Sequence, residues 1–195
     1  MNALKPSLAS EIVAGYRYYL AAGTVEDALL RFDSFRVLCA LREGAFGVAG
    51  LTTMIEELLA EHGLIDPRNR WYRGRPILVT ANDYGMKLFN GDVGMVFPDA
   101  DGQPRVFFPV SDGGLKSVSP VRLPEHQTVY AMTIHKSQGS EFERVLMVLP
   151  DHDAAPLTRE LIYTGITRAR QQVDIRGNRN RSEEHTSELQ SPNTI

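Results

Sequence analysis

Two stretches of strand length, FRVLCAL at 35–41 and RVLMVLP at 144–150, are apolar almost throughout and show no alternation of polar with apolar residues. A strand with one wet face alternates, whereas a strand covered on both faces does not. Both stretches therefore predict strands inside a sheet clothed on each side, as in an α/β domain. Helical signals surround them. In SLASEIVAGYRYYLAAG the residues Leu8, Ile12, Tyr16 and Leu20 fall four apart on one face, and Gly23 is a plausible stop. Thr24 with Asp27 resembles the start of a capping box ahead of VEDALLRF, although Glu or Gln is the usual third residue after the cap. LTTMIEELLAEHG reads as a helix after the first apolar run. TRELIYTGITRAR reads as one after the second, with Leu161, Ile162 and Ile166 on one side, and QVDI closes with a short strand.

The rhythm changes between Arg75 and Thr128. RPILVTAN, VGMVFPD and PRVFFPV are short β-type runs separated by Asn90-Gly91-Asp92 and by Asp99-Ala100-Asp101-Gly102, which are hairpin-type turn sequences. No helix-length periodic segment interrupts them. The stretch 75–127 predicts a small, mostly antiparallel β module inserted into an α/β domain made of 1–74 and 128–175. TVYAMTI, at 128–134, reads as the strand that returns to the main sheet, beside Phe35–Leu41 and Val145–Leu149 in mainly parallel order. From Arg176 the chain runs RGNRNRSEEHTSELQSPNTI, with too few aliphatic residues to offset ordering entropy, so 176–195 is expected to be disordered. RSEEHTSELQSP also resembles a translated sequencing adapter, which makes a non-native tail the expectation.

Composition narrows the chemistry by exclusion. A single cysteine, Cys39, cannot form an internal disulfide or a cysteine-based zinc site, and in VLCAL it reads as a buried core residue in a reducing, cytoplasmic setting. The five histidines show no metal-ligand spacing, so no metal site is expected. No apolar run is long enough for a membrane span. The net charge of −3 provides no global basic field, so any contact with a polyanion must be local.

Polar chemistry concentrates in two places. In AMTIHKSQGSEF, 131–142, a buried-looking strand runs straight into His135, Lys136, Ser137, Gln138, Gly139, Ser140 and Glu141. Hydroxyls at Thr133, Ser137 and Ser140, a permissive glycine and a lysine suit a phosphate group, and the carboxyl end of such a strand is where open α/β sheets bind ligands. YTGITRAR, 163–170, predicts a helix end carrying Arg168 and Arg170, either of which offers a planar fork of donors to an anion. Arg68, Arg70, Arg73 and Arg75, near Trp71, form a possible second contact, with a solvated loop as the plainer reading. Gly44, Gly47 and Gly50 lack a following Lys-Ser or Lys-Thr and read as a loop with permissive backbone.

AMTIHKSQGSEF resembles motif V, and ELIYTGITRAR motif VI, of superfamily 1 DNA helicases. FRVLCALREGAFGVAGL, GRPILVTANDYGMKLFNGDVGMVF and RLPEHQTVYAMTIHKSQGSEF are similar to the RecD branch, the α subunit of exodeoxyribonuclease V, over about residues 1 to 175. The resemblance implies a RecA-like C-terminal helicase domain, 2A, with the 75–127 stretch as its SH3-like insertion, 2B. It implies that Thr133 and His135, with Lys136, Ser137 and Gln138, face single-stranded DNA. Gly139 and Glu141 would lie near the nucleotide, Arg168 would reach the γ-phosphate, and Arg42, resembling the motif IV arginine, would share that duty. It further implies ATP and Mg²⁺ as cofactors of the intact enzyme, 5′ to 3′ translocation in recombinational double-strand break repair, and RecB and RecC as partners where the enzyme is heterotrimeric.

Such a helicase needs G-x-x-x-x-G-K-[ST] for the phosphates and an acidic pair for Mg²⁺, and neither occurs in this sequence. The expectation is a carboxyl-terminal motor portion that is inactive alone and binds no cofactor by itself. Two alternatives stand beside it: a single-stranded DNA-binding module with a helicase-like fold and no ATPase, and a helicase of the same branch that works without partner subunits.

Overall fold

The computed structural model describes residues 4–151 and 156–177. The chain divides into two compact units, Met1–Ser34 with Thr52–Tyr130, and Phe35–Leu51 with Ala131–Ile195. Helices near the amino terminus are thus grouped with the inserted strands, a different division from the sequence boundaries at 74/75 and 127/128.

The second unit is built on a four-stranded sheet of order β7-β1-β8-β9, with β1 Phe35–Cys39, β7 Ala131–Thr133, β8 Phe142–Val148 and β9 Ala169–Arg176. Its three pairings are all parallel, which places β1 between β7 and β8 as the apolar runs at 35–41 and 145–149 predict, with only 131–133 of the 128–134 run taking part. All five residues of β1 are buried. The helix α4, Arg159–Ile166, joins β8 to β9. Thr158 caps it, accepting a hydrogen bond from Leu161 N at 3.2 Å. It lies close on the sheet because position 165 has no side chain: a Cβ there would stand 2.4 Å from Met147 Cε and 3.2 Å from Ile134 Cδ1. In the loop after β1, the absent Cβ atoms of Gly47 and Gly50 leave room for the backbone of residues 43–45, at 2.3 and 2.4 Å. That close approach accounts for Gly47 and Gly50, whereas Gly44 serves by its left-handed backbone at φ 83°, with open space where a Cβ would stand.

In the first unit, α1 Leu4–Leu20 and α2 Val25–Phe32 precede a five-stranded antiparallel sheet. Leu8, Ile12 and Tyr16 are fully buried, while at the end of α1 Tyr19 takes the buried place predicted for Leu20. Thr24 caps α2 with Oγ1 accepting from Asp27 N at 3.3 Å. The sheet has the order β5-β4-β3-β2-β6, from β2 Pro76–Val79, β3 Val93–Pro98, β4 Pro104–Pro109, β5 Leu115–Val118 and β6 His126–Thr128. Asp99–Gly102 is the β3–β4 hairpin turn, with Gly102 at φ 76°. The sheet carries its own core of Ile77, Val79, Leu88, Val96, Val106, Phe108 and Val118, on which Trp71, Met86 and Leu123 pack. Full burial of each such side chain contributes about 1.5–3 kcal/mol. The helix α3, Val48–Glu61, has residues in both units.

Four sequence expectations need correction. TVYAMTI is not one strand: Thr128 ends β6, which pairs antiparallel with β2, and after Val129-Tyr130 the chain begins β7 in the parallel sheet. The helix predicted through Arg170 stops at Ile166, because Thr167 closes it and Arg168 O already accepts from Phe142 N at 2.8 Å, drawing the chain into β9. Arg168 therefore lies in the turn after the helix, and Arg170 in the strand. The closing strand is longer than QVDI and runs on to Arg176, which was placed in the tail; the rest of the tail, from 178, lies outside the described residues. The short polar strands β5 and β6 were not foreseen.

Candidate functional site

Thr133 is the last residue of β7 and is 9% exposed. Its Oγ1 accepts from Lys136 N at 3.1 Å, and its carbonyl accepts from Ser137 N at 3.1 Å, so the chain folds at once into a tight turn. Ser137 is 0% exposed, and its hydroxyl donates to Ile134 O at 2.7 Å. The turn is thus held from within by the hydroxyls of Thr133 and Ser137, while His135, Lys136, Gln138, Gly139 and Ser140 are exposed. Gly139 sits at φ 88°, with open space around the position a Cβ would occupy.

The turn does not stay at one edge of the sheet. Thr133 and Val148 both align with Cys39, and β8 begins at Phe142, six residues before Val148. At about 3.3 Å per residue, the chain travels roughly 20 Å back along the strand direction between Thr133 and Phe142. Thr133, His135 and Lys136 leave the carboxyl edge of the sheet, and Ser140 and Glu141 arrive at the amino edge.

Arg168 meets them there. Its Nη1 donates to Ser140 O at 3.2 Å, its Nε to Thr164 O at 3.2 Å and its Nη2 to Thr167 Oγ1 at 3.2 Å. A guanidinium has five N–H bonds, so a fork fixed on three sides keeps donors for an anion. Glu141 pairs with Arg170, Oε2 to Nε at 3.0 Å, both side chains being more than half exposed. Arg42 is exposed, three residues beyond Cys39 at the carboxyl edge. The structure therefore brings Arg168, Ser140 and Glu141 together at one end of the sheet and leaves Arg42 at the other.

Two supporting features escaped the sequence reading. The Thr164 carbonyl and the Thr167 hydroxyl hold Arg168, and a backbone acceptor at 164 leaves no signal in residue type. Arg36, 1% exposed inside β1, lies over the Phe142 ring at 4.8 Å, and Arg144 lies over the Phe35 ring at 5.7 Å. These crossed contacts tie β1 to the start of β8, where the turn lands. Cys39 is buried in β1, and burial pushes its thiol up to about 12, which disfavours the thiolate.

The four arginines near Trp71 are largely committed internally. Arg68 pairs with Asp66 at 2.8 Å, Arg73 bonds to the carbonyls of Leu20 and Ala22 and lies over Phe97, and Arg75 bonds to Thr128 Oγ1 at 2.8 and 3.0 Å. Arg70 is exposed over the Trp71 ring. Among the described residues no group of three or more His, Cys, Asp or Glu could hold a metal ion, and no helix is long and apolar enough to cross a membrane.

A polar turn thus leaves a parallel strand, with an arginine held against its far end. Residues 128–175 match the UvrD-like helicase C-terminal domain, and the chain resembles proteins named RecD over most of its length. It is similar to the RecBCD enzyme subunit RecD of Mycobacterium tuberculosis, 43% identical over 155 residues that make up 80% of this chain and 27% of the relative. It is also similar to the ATP-dependent RecD2 DNA helicase of Deinococcus radiodurans, 34% identical over 137 residues, 69% of this chain and 19% of that protein. The chain thus spans about a quarter of the length of the RecD relatives it matches. A solved structure of Bacteroides Pif1 bound to single-stranded DNA covers 85% of this chain and is itself covered over 48%, at 14% identity and a TM-score of 0.45, too distant to add to the topology described above.

Proposed function

We propose that this chain supplies the carboxyl-terminal motor portion of an ATP-driven, RecD-type DNA helicase acting in recombinational repair. Residues 75–127 would be its SH3-like 2B module, and RecB- and RecC-type subunits its partners where the enzyme is heterotrimeric. The observation that carries the reading is the two-ended turn. Its first half, with Thr133, His135, Lys136 and Gln138, takes phosphate and sugar of single-stranded DNA at the carboxyl edge. Its second half, with Gly139 and Glu141, lies with Arg168 toward the nucleotide at the amino edge. Ser137 acts through the turn it holds, because its hydroxyl is already spent on Ile134 O.

The residues fit part of an ATP site. Arg168 keeps donors for a γ-phosphate oxygen, where charge developing on the transferring phosphoryl group would be stabilised. Glu141 is engaged by Arg170, and the sequence offers no P-loop, so Mg²⁺ and the remaining phosphates require residues outside this chain. Arg42 assists at the nucleotide only if another domain reaches the carboxyl edge. By itself the chain hydrolyses no ATP.

Fluorescence anisotropy with a labelled single strand at two salt concentrations tests the DNA half. Weak binding without sequence preference, falling steeply with salt, is expected. Replacing Thr133 and His135 together by Ala should weaken it, and Thr133→Ser should preserve it. A salt-sensitive affinity unchanged by the double substitution would remove motif V from the DNA interface.

A further inference from the structure

We propose that the Asn82–Asp92 loop between β2 and β3 is a second single-strand contact, in which Tyr84 and Phe89 stack on nucleobases and Lys87 meets the adjoining phosphate. The proposal rests on the DNA-binding reading above and adds a contact to the bases to one made with the backbone.

Tyr84 is 76% exposed and Phe89 44% exposed, and the two rings are neighbours with centroids 6.1 Å apart at an interplanar angle of 73°. Large aromatic rings left in water side by side are unusual on a soluble surface. The loop that carries them is pinned. Asp83 and Leu88 exchange backbone hydrogen bonds at 2.7 and 3.0 Å, Leu88 is anchored in the core of the antiparallel sheet, and Asn90 N donates to Asn82 Oδ1 at 2.8 Å. Lys87 has φ 48°, a left-handed backbone that residues other than glycine keep only where the surroundings over-determine it. The exposure of the rings is therefore built in.

The chemistry at the tip favours a nucleic acid. Asp83 and Asp92 would repel a phosphate, but each is turned inward as a cap: Asp83 Oδ1 accepts from Met86 N at 2.8 Å, and Asp92 Oδ2 from Phe89 N at 2.7 Å. Lys87 is exposed and enters no ion pair among the described residues. Edge-to-face rings leave flat surface for a base, and stacking tolerates any sequence, as a translocating contact requires.

Anisotropy of the chain with an oligothymidylate of about 15 nucleotides, and with an abasic strand of the same length, tests the proposal. The wild type should prefer the thymidylate by at least about fivefold. Tyr84→Ala with Phe89→Ala should erase that preference and leave the abasic affinity unchanged, whereas Tyr84→Phe with Phe89→Tyr should retain it. Should the alanine variant fail to fold by circular dichroism, Tyr84→Leu with Phe89→Leu keeps the bulk, removes the aromatic faces and carries the same expectation. A wild type without preference, or a preference that survives loss of both rings, overturns the proposal. Failure of the wild type to bind either strand overturns the DNA-binding reading and this proposal together.

Discussion

The parallel and antiparallel sheets of this chain use their polar residues in opposite ways. In the parallel sheet, β1 is buried from end to end, so chemistry is displaced into the turn that leaves β7 and the turn that enters β9. In the antiparallel unit, the arginines that look in sequence like a nucleic-acid contact are mostly struts. Arg75 clasps Thr128 across the base of the sheet, and Arg73 holds the end of α1. Charge density in a sequence therefore says less about function than whether each charge already has a partner. The exposed tip at Tyr84 and Phe89, with one lysine, is a better candidate than four arginines.

The largest expected effect concerns the separate core of the antiparallel sheet. Phe108→Ala removes a buried ring at its centre and should cost about 3–5 kcal/mol in urea unfolding. Amide exchange should rise first in β2 to β6. If β1 and β8 lost protection before those strands, the two cores would not be distinct.

Next comes the close contact that seats α4. Gly165→Val places a side chain against Met147 and Ile134 and should cost about 1–3 kcal/mol by overpacking, with Arg168 displaced from Ser140. A variant of unchanged stability would show that α4 can lift without consequence.

Arg75→Ala sharpens the contrast between strut and contact. It should lower stability by about 1–3 kcal/mol, since Thr128 and Arg70 lose their donor, while the salt dependence of DNA binding stays unchanged. A shallower salt slope would return Arg75 to the DNA interface. The smallest effect belongs to Arg170→Ala, which breaks an exposed pair with Glu141 worth less than about 1 kcal/mol.

What the sequence made legible follows burial. FRVLCAL and RVLMVLP announce themselves because strands covered on both faces leave no polar position, and α1 because Leu8, Ile12 and Tyr16 repeat at helical spacing. β5 and β6 are the two edges of their sheet, partly wet on both sides, and LKSV and HQT carry no pattern that could reveal them. TVYAMTI reads as one strand because apolar content does not change where the chain passes between sheets. At the candidate site, residue types marked the turn after β7 and the arginine after α4 as the places where polar chemistry gathers. That the turn spans two edges, and that Arg42 and Arg168 leave opposite ones, follows from strand register, which no local pattern encodes.

The central claim is that Arg168, fixed at the amino edge by Ser140, Thr164 and Thr167, acts on the γ-phosphate. Single-turnover ATP hydrolysis by a RecD-type helicase containing this chain measures it directly. Arg168→Ala should lower turnover by roughly 10³-fold or more with nucleotide binding nearly intact. Undiminished turnover, or a loss confined to nucleotide binding, would contradict the account and make Arg168 a structural or ground-state contact.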